Sequence, residues 1–421
     1  MKKYIIISNN QKGGSKNKSN KMLGGNEDII NFLKTEDVAK IKDNLYNLIQ
    51  NKEYCPKVLG EGSFGRVYVP EIGKNSKIKR NDKTIKVPIV IKESKNTDET
   101  KVVSGLDILD GKLYISGYAN ITTEALILMF TNQLWNNTVH LPYMVGYSTC
   151  SKSKLVDKII TVRHGLKDEI ELDITGKFYN DGGLWRPNFK DNENTLRLTL
   201  NTVKDLLLYI YLNRKDNGDV TLPNGITCCT SKLYDYICIS YLATHWLLVK
   251  NNIFVSDMHS KNIFIHWLDD KSYLGNNIKK IVYKVNGSLY EIETFGFVII
   301  LGDLGTSDIK ITDNTILVGQ GCDVPKNYKL LEQRMTPSHT ADHFMEFTKR
   351  LLVLADYQKT MAYKLFNSEP YLNQLVLTFI NPLGFNVDYL NKLRTGEEIL
   401  EEFYKNYKIE RFSQKDDNIL I

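Results

Sequence analysis

The stretch that decides the fold is Phe254-Val255-Ser256-Asp257-Met258-His259-Ser260-Lys261-Asn262-Ile263-Phe264-Ile265. An aspartate stands five residues before an asparagine, and a β-branched and aromatic run follows that reads as a strand. A carboxylate at the head of such a loop can orient or deprotonate an attacking hydroxyl, and an amide oxygen at its foot can bind Mg²⁺. Downstream, Ile299-Ile300-Leu301-Gly302-Asp303-Leu304-Gly305 ends an apolar strand with a second carboxylate and a glycine turn. Divalent cations of this kind take oxygen ligands, so Asp303 can hold the other side of the metal. Asp257 is thus the candidate catalytic residue, and Asn262 and Asp303 are the candidate metal ligands.

Upstream, Leu59-Gly60-Glu61-Gly62-Ser63-Phe64-Gly65-Arg66-Val67 carries a G-x-G-x-x-G pattern. Dinucleotide-binding sheets and phosphate-covering hairpins both use it. A dinucleotide fingerprint needs a helix after the glycines, but Arg66-Val67-Tyr68-Val69-Pro70 is β-rich and ends at proline. The pattern therefore reads as a glycine hairpin whose backbone can approach phosphates without side-chain clash. Next comes Ile89-Val90-Ile91-Lys92, an apolar strand ending in a lysine placed to point inward at nucleotide phosphates. Such a buried lysine needs a carboxylate partner. Glu124, at the opening of the next predicted helix, is the candidate.

In this order the motifs resemble those of the eukaryotic-type protein kinases, across roughly residues 54–350. The resemblance implies an α+β, bilobal protein-kinase-like fold with a small β-rich N-lobe and a larger, mainly helical C-lobe. It divides the chain into a disordered basic tail (1–22), a helical extension (23–52), an N-lobe (53–165) and a C-lobe (166–421). It assigns Gly60, Gly62 and Gly65 to a lid over ATP and Val67 to the apolar cover of adenine. Lys92 would bind ATP with Glu124 as its partner, Asp257 would be the catalytic aspartate, and Asn262 and Asp303 would hold Mg²⁺. Asp342 is similar to the aspartate that braces the catalytic loop, although an ordinary helix N-terminal carboxylate explains it nearly as well.

The insert Ile281 to Ile292, followed by Phe295-Gly296-Phe297, reads as a β-hairpin with an Asn-Gly turn. An elongated hairpin at this place is similar to protein kinases of large nucleocytoplasmic DNA viruses, including poxvirus-like virion kinases and their giant-virus relatives. That resemblance implies phosphorylation of serine or threonine on protein substrates, in the host cytoplasm, and packaging in virions.

Several positions depart from the common kinase pattern. Val255-Ser256 replaces the usual His-Arg, which removes the receptor for an activation-loop phosphate and leads us to expect activity without loop phosphorylation. His259 stands where a lysine is usual. Asp-x-His-x-x-Asn is also the arrangement of aminoglycoside and other small-molecule kinases, so a small hydroxylated acceptor stays open. So does a pseudokinase scaffold that docks through the basic tail. No Ala-Pro-Glu closes the activation segment; Glu332 is at a suitable distance. Ile159-Ile160-Thr161-Val162-Arg163 is the candidate strand entering the hinge.

Composition narrows the field. The 421 residues are 42% hydrophobic and 25% charged, which is ordinary for a globular chain. Lys2, Lys3, Lys12, Lys16, Lys18 and Lys21 account for the net charge of +6, and without them the body is neutral. A neutral body argues against a dedicated nucleic-acid-binding domain. No apolar run reaches the ~18 residues of a membrane span, and the apolar start is too short for a signal peptide. The six cysteines show no C-x-x-C spacing, which argues for reduced thiols in a cytosolic protein. The oligomeric state leaves no sequence trace.

Periodicity predicts a helix within 26–52, strands over 54–115 interrupted by a lysine-rich loop at 73–83, and a helix from about Glu124 to Trp135 capped by Thr122 or Thr123. Strands are expected over 144–150 and 155–163, helices over 196–212 and 233–249, strands over 253–303, and helices over most of the last hundred residues. Residues 173–194 read as an inserted loop, and Trp135, Trp185, Trp246 and Trp267 as core packing.

Overall fold

Among the described residues, runs rich in β-branched residues fold as short strands, and two strongly apolar segments fold as the helices Ile121–Gln133 and Thr230–Lys250. The computed structural model describes residues 57–61, 65–69, 76–80, 83–94, 104–117, 121–135, 137–148, 158–166, 169–173, 195–213, 217–255, 262–269, 278–319, 396–412 and 418–420, with 215, 272, 274 and 335.

The first strands are β1 (Lys57–Glu61), β2 (Gly65–Val69), β3 (Ser76–Arg80), β4 (Lys83–Val87), β5 (Ile89–Ser94), β6 (Ser104–Leu109) and β7 (Lys112–Gly117). Helix α1 (Ile121–Gln133) follows, then β8 (Met144–Ser148), β9 (Lys158–Val162), β10 (Ile170–Asp173), β11 (Thr195–Leu198) and α2 (Val203–Asn213). Strands β12 (Asp219–Thr221) and β13 (Thr227–Cys229) lead into the long helix α3 (Thr230–Lys250). Then come β14 (Ile253–Phe254), β15 (Ile263–Trp267), β16 (Lys280–Val285), β17 (Ser288–Glu293), β18 (Phe297–Leu301), β19 (Asp308–Thr312) and β20 (Thr315–Val318). Helix α4 (Gly396–Phe403), β21 (Lys408–Ile409) and β22 (Asn418–Leu420) complete the described elements.

The fold is mixed α and β, with several small sheets rather than one large one. An antiparallel five-stranded sheet has the order β1-β2-β5-β9-β8, so the glycine hairpin lies beside the strand that carries Lys92. A second five-stranded sheet runs β14-β19-β20-β7-β6, and a four-stranded one runs β21-β17-β16-β22. β15 and β18 pair with each other. Helix α1 is apolar nearly all round and is packed against β7, β8, β9 and the turn at 304–306, as expected of a helix with no solvent face. The main cluster of buried apolar side chains takes in Ile127 of α1, Ile159 of β9, Tyr236 and Leu242 of α3, all of β18, and Ile399 of α4.

The Asn-Gly hairpin has the predicted form. Val285 and Ser288 close the ladder, and Asn286 (φ 45°) and Gly287 (φ 87°) both take the left-handed conformation of a two-residue turn. Trp135 and Trp267 are buried as expected, and Trp246 packs against the core.

Three expectations need correction. The lysine-rich stretch is not an open loop: β3 and β4 pair antiparallel from Ser76↔Val87 to Arg80↔Lys83, because alternation with Ile and Thr suits a strand despite the charge. The segment 196–212 begins as a strand, and its helix starts only at Val203, where Thr202 and Asp205 exchange capping hydrogen bonds. Helix α1 starts at Ile121, so Thr122 and Thr123 are inside it rather than capping it. Beyond residue 166 the described residues hold more strands than helices, and most of the last hundred residues, where helices are expected, lie outside them. The predicted helix at 26–52, the insert at 174–194, Trp185, Glu332 and Asp342 lie outside the described residues. Among the described residues, no helix is long and apolar enough to cross a membrane.

Candidate functional site

Lys92 is near the end of β5, with Val67 and Ile159 as its register partners. Successive strand residues face opposite ways, so burying Ile89 and Ile91 on one side sends Lys92 to the other. Its ammonium lies 2.6 Å from Glu124 Oε2 and 2.8 Å from Asp303 Oδ1. Glu124 stands in the first turn of α1 and is 5% exposed. Three residues from separate segments thus meet at one cation: Glu124 is the expected partner of Lys92, whereas the contact with Asp303, expected only as a metal ligand, was not predicted.

The electrostatics favour a charged lysine. Burial alone would lower its pKa, but Glu124 and Asp303 more than offset this and raise it. Burial pushes the Glu124 carboxyl up, against the pull of the Lys92 ammonium and with a smaller push from Asp303.

Asp303 owes its position to the fully buried β18 and to two backbone features. A Cβ on Gly302 would fall 2.0 Å from Cε2 of Phe264, so the glycine leaves room for the Phe264 ring to lie against the backbone just before Asp303. Asp303 itself has φ 52° and ψ 54°, a left-handed conformation uncommon for a side chain other than glycine. The chain then makes one 3₁₀ turn, Leu304–Thr306, on which α1 packs. Asn262 is 7% exposed and immediately precedes β15. Its carbonyl accepts the N–H of Gly302 at 2.8 Å.

One contributor was not predicted. His140, in the loop after α1, is fully buried. Its carbonyl accepts the Leu301 N–H at 2.8 Å, and its Nδ1 is 2.7 Å from the Ile299 carbonyl. A carbonyl only accepts, so Nδ1 carries the proton and Nε2 accepts from the Tyr283 hydroxyl at 2.8 Å. Tyr283 in turn accepts from Ser240 at 2.7 Å. Burial pushes the imidazole down to about 4, so it is neutral at pH 7. This relay ties α3 and the Asn-Gly hairpin to β18, the strand that leads into Asp303. The sequence signal, a single histidine inside Val139-His140-Leu141, does not distinguish it from any core histidine.

The two strands that flank the glycine turn, β1 and β2, pair antiparallel. Gly60 is on β1 and faces Val67, Gly65 opens β2, and the register is irregular between Val58 and Gly60. The predicted hinge strand is β9, which runs beside β5. After it, Arg163 donates to the Pro88 carbonyl and Gly165 to the Ile265 carbonyl, each at 2.8 Å. Gly62, Asp257 and His259 lie outside the described residues. β14 ends at Phe254, and the description resumes at Asn262, so the ends flanking Asp257 are fixed.

Among the described residues, no group of three or more His, Cys, Asp or Glu side chains could hold a metal. Asp303 and Asn262 offer a carboxylate and an amide oxygen, the ligand chemistry that Mg²⁺ takes. A scan of protein-family models and a search of curated proteins gave no match for this chain.

Proposed function

We propose that the protein is an ATP- and Mg²⁺-dependent kinase that transfers the γ-phosphoryl group to serine or threonine hydroxyls of protein substrates. The observation that carries this reading is the contact of Lys92 with both Glu124 and Asp303 beside a glycine hairpin. Ion pairs between long side chains are common, but here each partner comes from a motif that the phosphotransfer chemistry independently requires.

In this mechanism the β1–β2 backbone covers the nucleotide phosphates, and Lys92 grips them while Glu124 keeps its side chain extended. Asn262 and Asp303 would hold Mg²⁺. Bound Mg²⁺ neutralises charge on the phosphate oxygens. Asp257 orients the acceptor hydroxyl and accepts its proton as the oxygen bonds to the γ-phosphorus and the bond to the bridging oxygen breaks. Most of the rate enhancement comes from positioning and fixed charge. His259 favours a second reading, a small-molecule phosphotransferase, because of the Asp-x-His spacing.

The test is transfer of labelled γ-phosphate from Mg-ATP to a panel of proteins and small hydroxylated acceptors, with Asp257→Ala beside the wild type. Label on serine or threonine that disappears in the variant is the expected result. Label confined to small acceptors selects the second reading. ATP binding without any transfer leaves a scaffold role.

A further inference from the structure

The segment after Asp303 is folded as a hairpin and held on both sides. β19 pairs with β14 through Ile253↔Ile309 and Phe254↔Asp308, and the Lys310 N–H reaches the Asn252 carbonyl at 2.9 Å. β20 pairs in parallel with β7, from Thr315↔Leu113 to Val318↔Ser116, and the Leu113 N–H donates to the Asn314 carbonyl at 2.7 Å. Tyr114, Ile316 and Val318 form a buried cluster of their own, with Leu109 and Met335 packed against it. At the end of β20, the Gly319 N–H donates to the fully buried Asp308 carboxylate at 3.0 Å. A Cβ on Gly319 would lie 2.3 Å from the carbonyl carbon of Thr306. The returning strand therefore rests directly on the turn that follows Asp303.

The other side of this arrangement leads to Glu124. β7 precedes α1 in the chain, and α1 packs on the same 304–306 turn. One hairpin, β6–β7, thus adds a strand to the segment after Asp303 and runs on toward the helix that carries Glu124. Main-chain pairing of this kind is a strong means of ordering a segment. In kinases with an arginine before the catalytic aspartate, a phosphate on this segment does the ordering. Here that position is Ser256.

We propose that the β6–β7 hairpin is a built-in activator, whose pairing with β20 positions Asp303 and Glu124 around Lys92 in place of a phosphate. The proposal rests on the kinase reading, and its test separates the two. Full-length wild type, shown by intact mass to be free of phosphate, is compared with Leu113→Pro and Leu113→Ala. The Leu113 N–H points to β20 and not to β6, so proline deletes one clamp hydrogen bond while alanine keeps it.

The unphosphorylated wild type should be active. Leu113→Pro should lose at least about tenfold in kcat, with a smaller change in the KM for ATP, and Leu113→Ala should stay within about twofold. Amide exchange at residues 315–318 should be slow in the wild type and faster in Leu113→Pro, with α3 unchanged. Undiminished kcat in Leu113→Pro despite faster exchange overturns the proposal. So does loop-like exchange at 315–318 in the wild type, a measurement that decides even if the proline variant does not fold. Wild type that works only after phosphorylation also overturns it while leaving the kinase reading intact. Wild type that transfers phosphate in neither state removes that reading, and the proposal with it.

Discussion

The amide of Gly302 donates to the carbonyl of Asn262 across 2.8 Å, which brings the ends of β15 and β18 to one level. Asn262 and Asp303 leave the two strands next to each other, although some forty residues of chain separate them. The proximity follows from backbone pairing, Ile263↔Leu301, and needs no side-chain contact. The backbone therefore holds the two residues at neighbouring ends of one strand pair, which is where the proposed Mg²⁺ site needs them.

Removing the ammonium should expose what the ion pair costs. Lys92→Met leaves Glu124 buried without its partner, and we expect a loss of about 3 kcal/mol in urea unfolding. The double variant Lys92→Met with Glu124→Gln should recover most of that stability and still fail to bind ATP by calorimetry. A single variant as stable as the wild type would show that Glu124 does not depend on Lys92.

Asp303→Asn keeps the shape of the side chain and removes its charge. Phosphotransfer should fall by about a hundredfold or more, and the Mg²⁺ concentration for half-maximal rate should rise. An unchanged Mg²⁺ titration would take Asp303 out of the metal site.

Gly302→Ala puts a methyl group against the Phe264 ring. Overpacking of this kind costs about 1–3 kcal/mol, seen as a lower Tm. Phe264→Leu in the same chain should restore part of the loss, which a backbone effect of alanine alone would not allow.

Acid should weaken the fold through His140. The folded imidazole is held down to about 4, below the unfolded value near 6.5, so the unfolded chain binds more protons between these limits. Stability is full above about pH 6.5 and falls as pH drops toward 4, by on the order of 3 kcal/mol in total. His164, which burial pushes down to about 3, adds to the same trend. In His140→Gln the fall in Tm between pH 7 and 5 should be shallower. An identical slope would assign the acid sensitivity elsewhere.

The residues that meet at Lys92 were legible because each borders an apolar run with its own local signature. Lys92, Glu124 and Asp303 could be named from sequence for that reason, as could the Asn-Gly turn. What was not legible depends on long-range pairing. Nothing in Lys112 to Gly117 announces a parallel partner at Thr315–Val318, since edge and central strands share the same alternation. His140 was missed because burial, not spacing, defines its role. The lysines of β3 and β4 were misread because charge suggested a loop where backbone pairing makes a hairpin.

The Asn-Gly hairpin has a consequence for how the molecule is made. Its two outer edges are covered by β21 and β22, which the ribosome delivers long after β16 and β17 have left the exit tunnel. Until then both edges are open to pairing with other chains, a recognised route to aggregation. Tyr283 on β16 supplies the hydroxyl that His140 accepts, so the sheet that stays open longest also carries the clasp on β18. Synthesis should therefore yield a late-maturing protein, dependent on chaperones until residues 408–420 close the sheet.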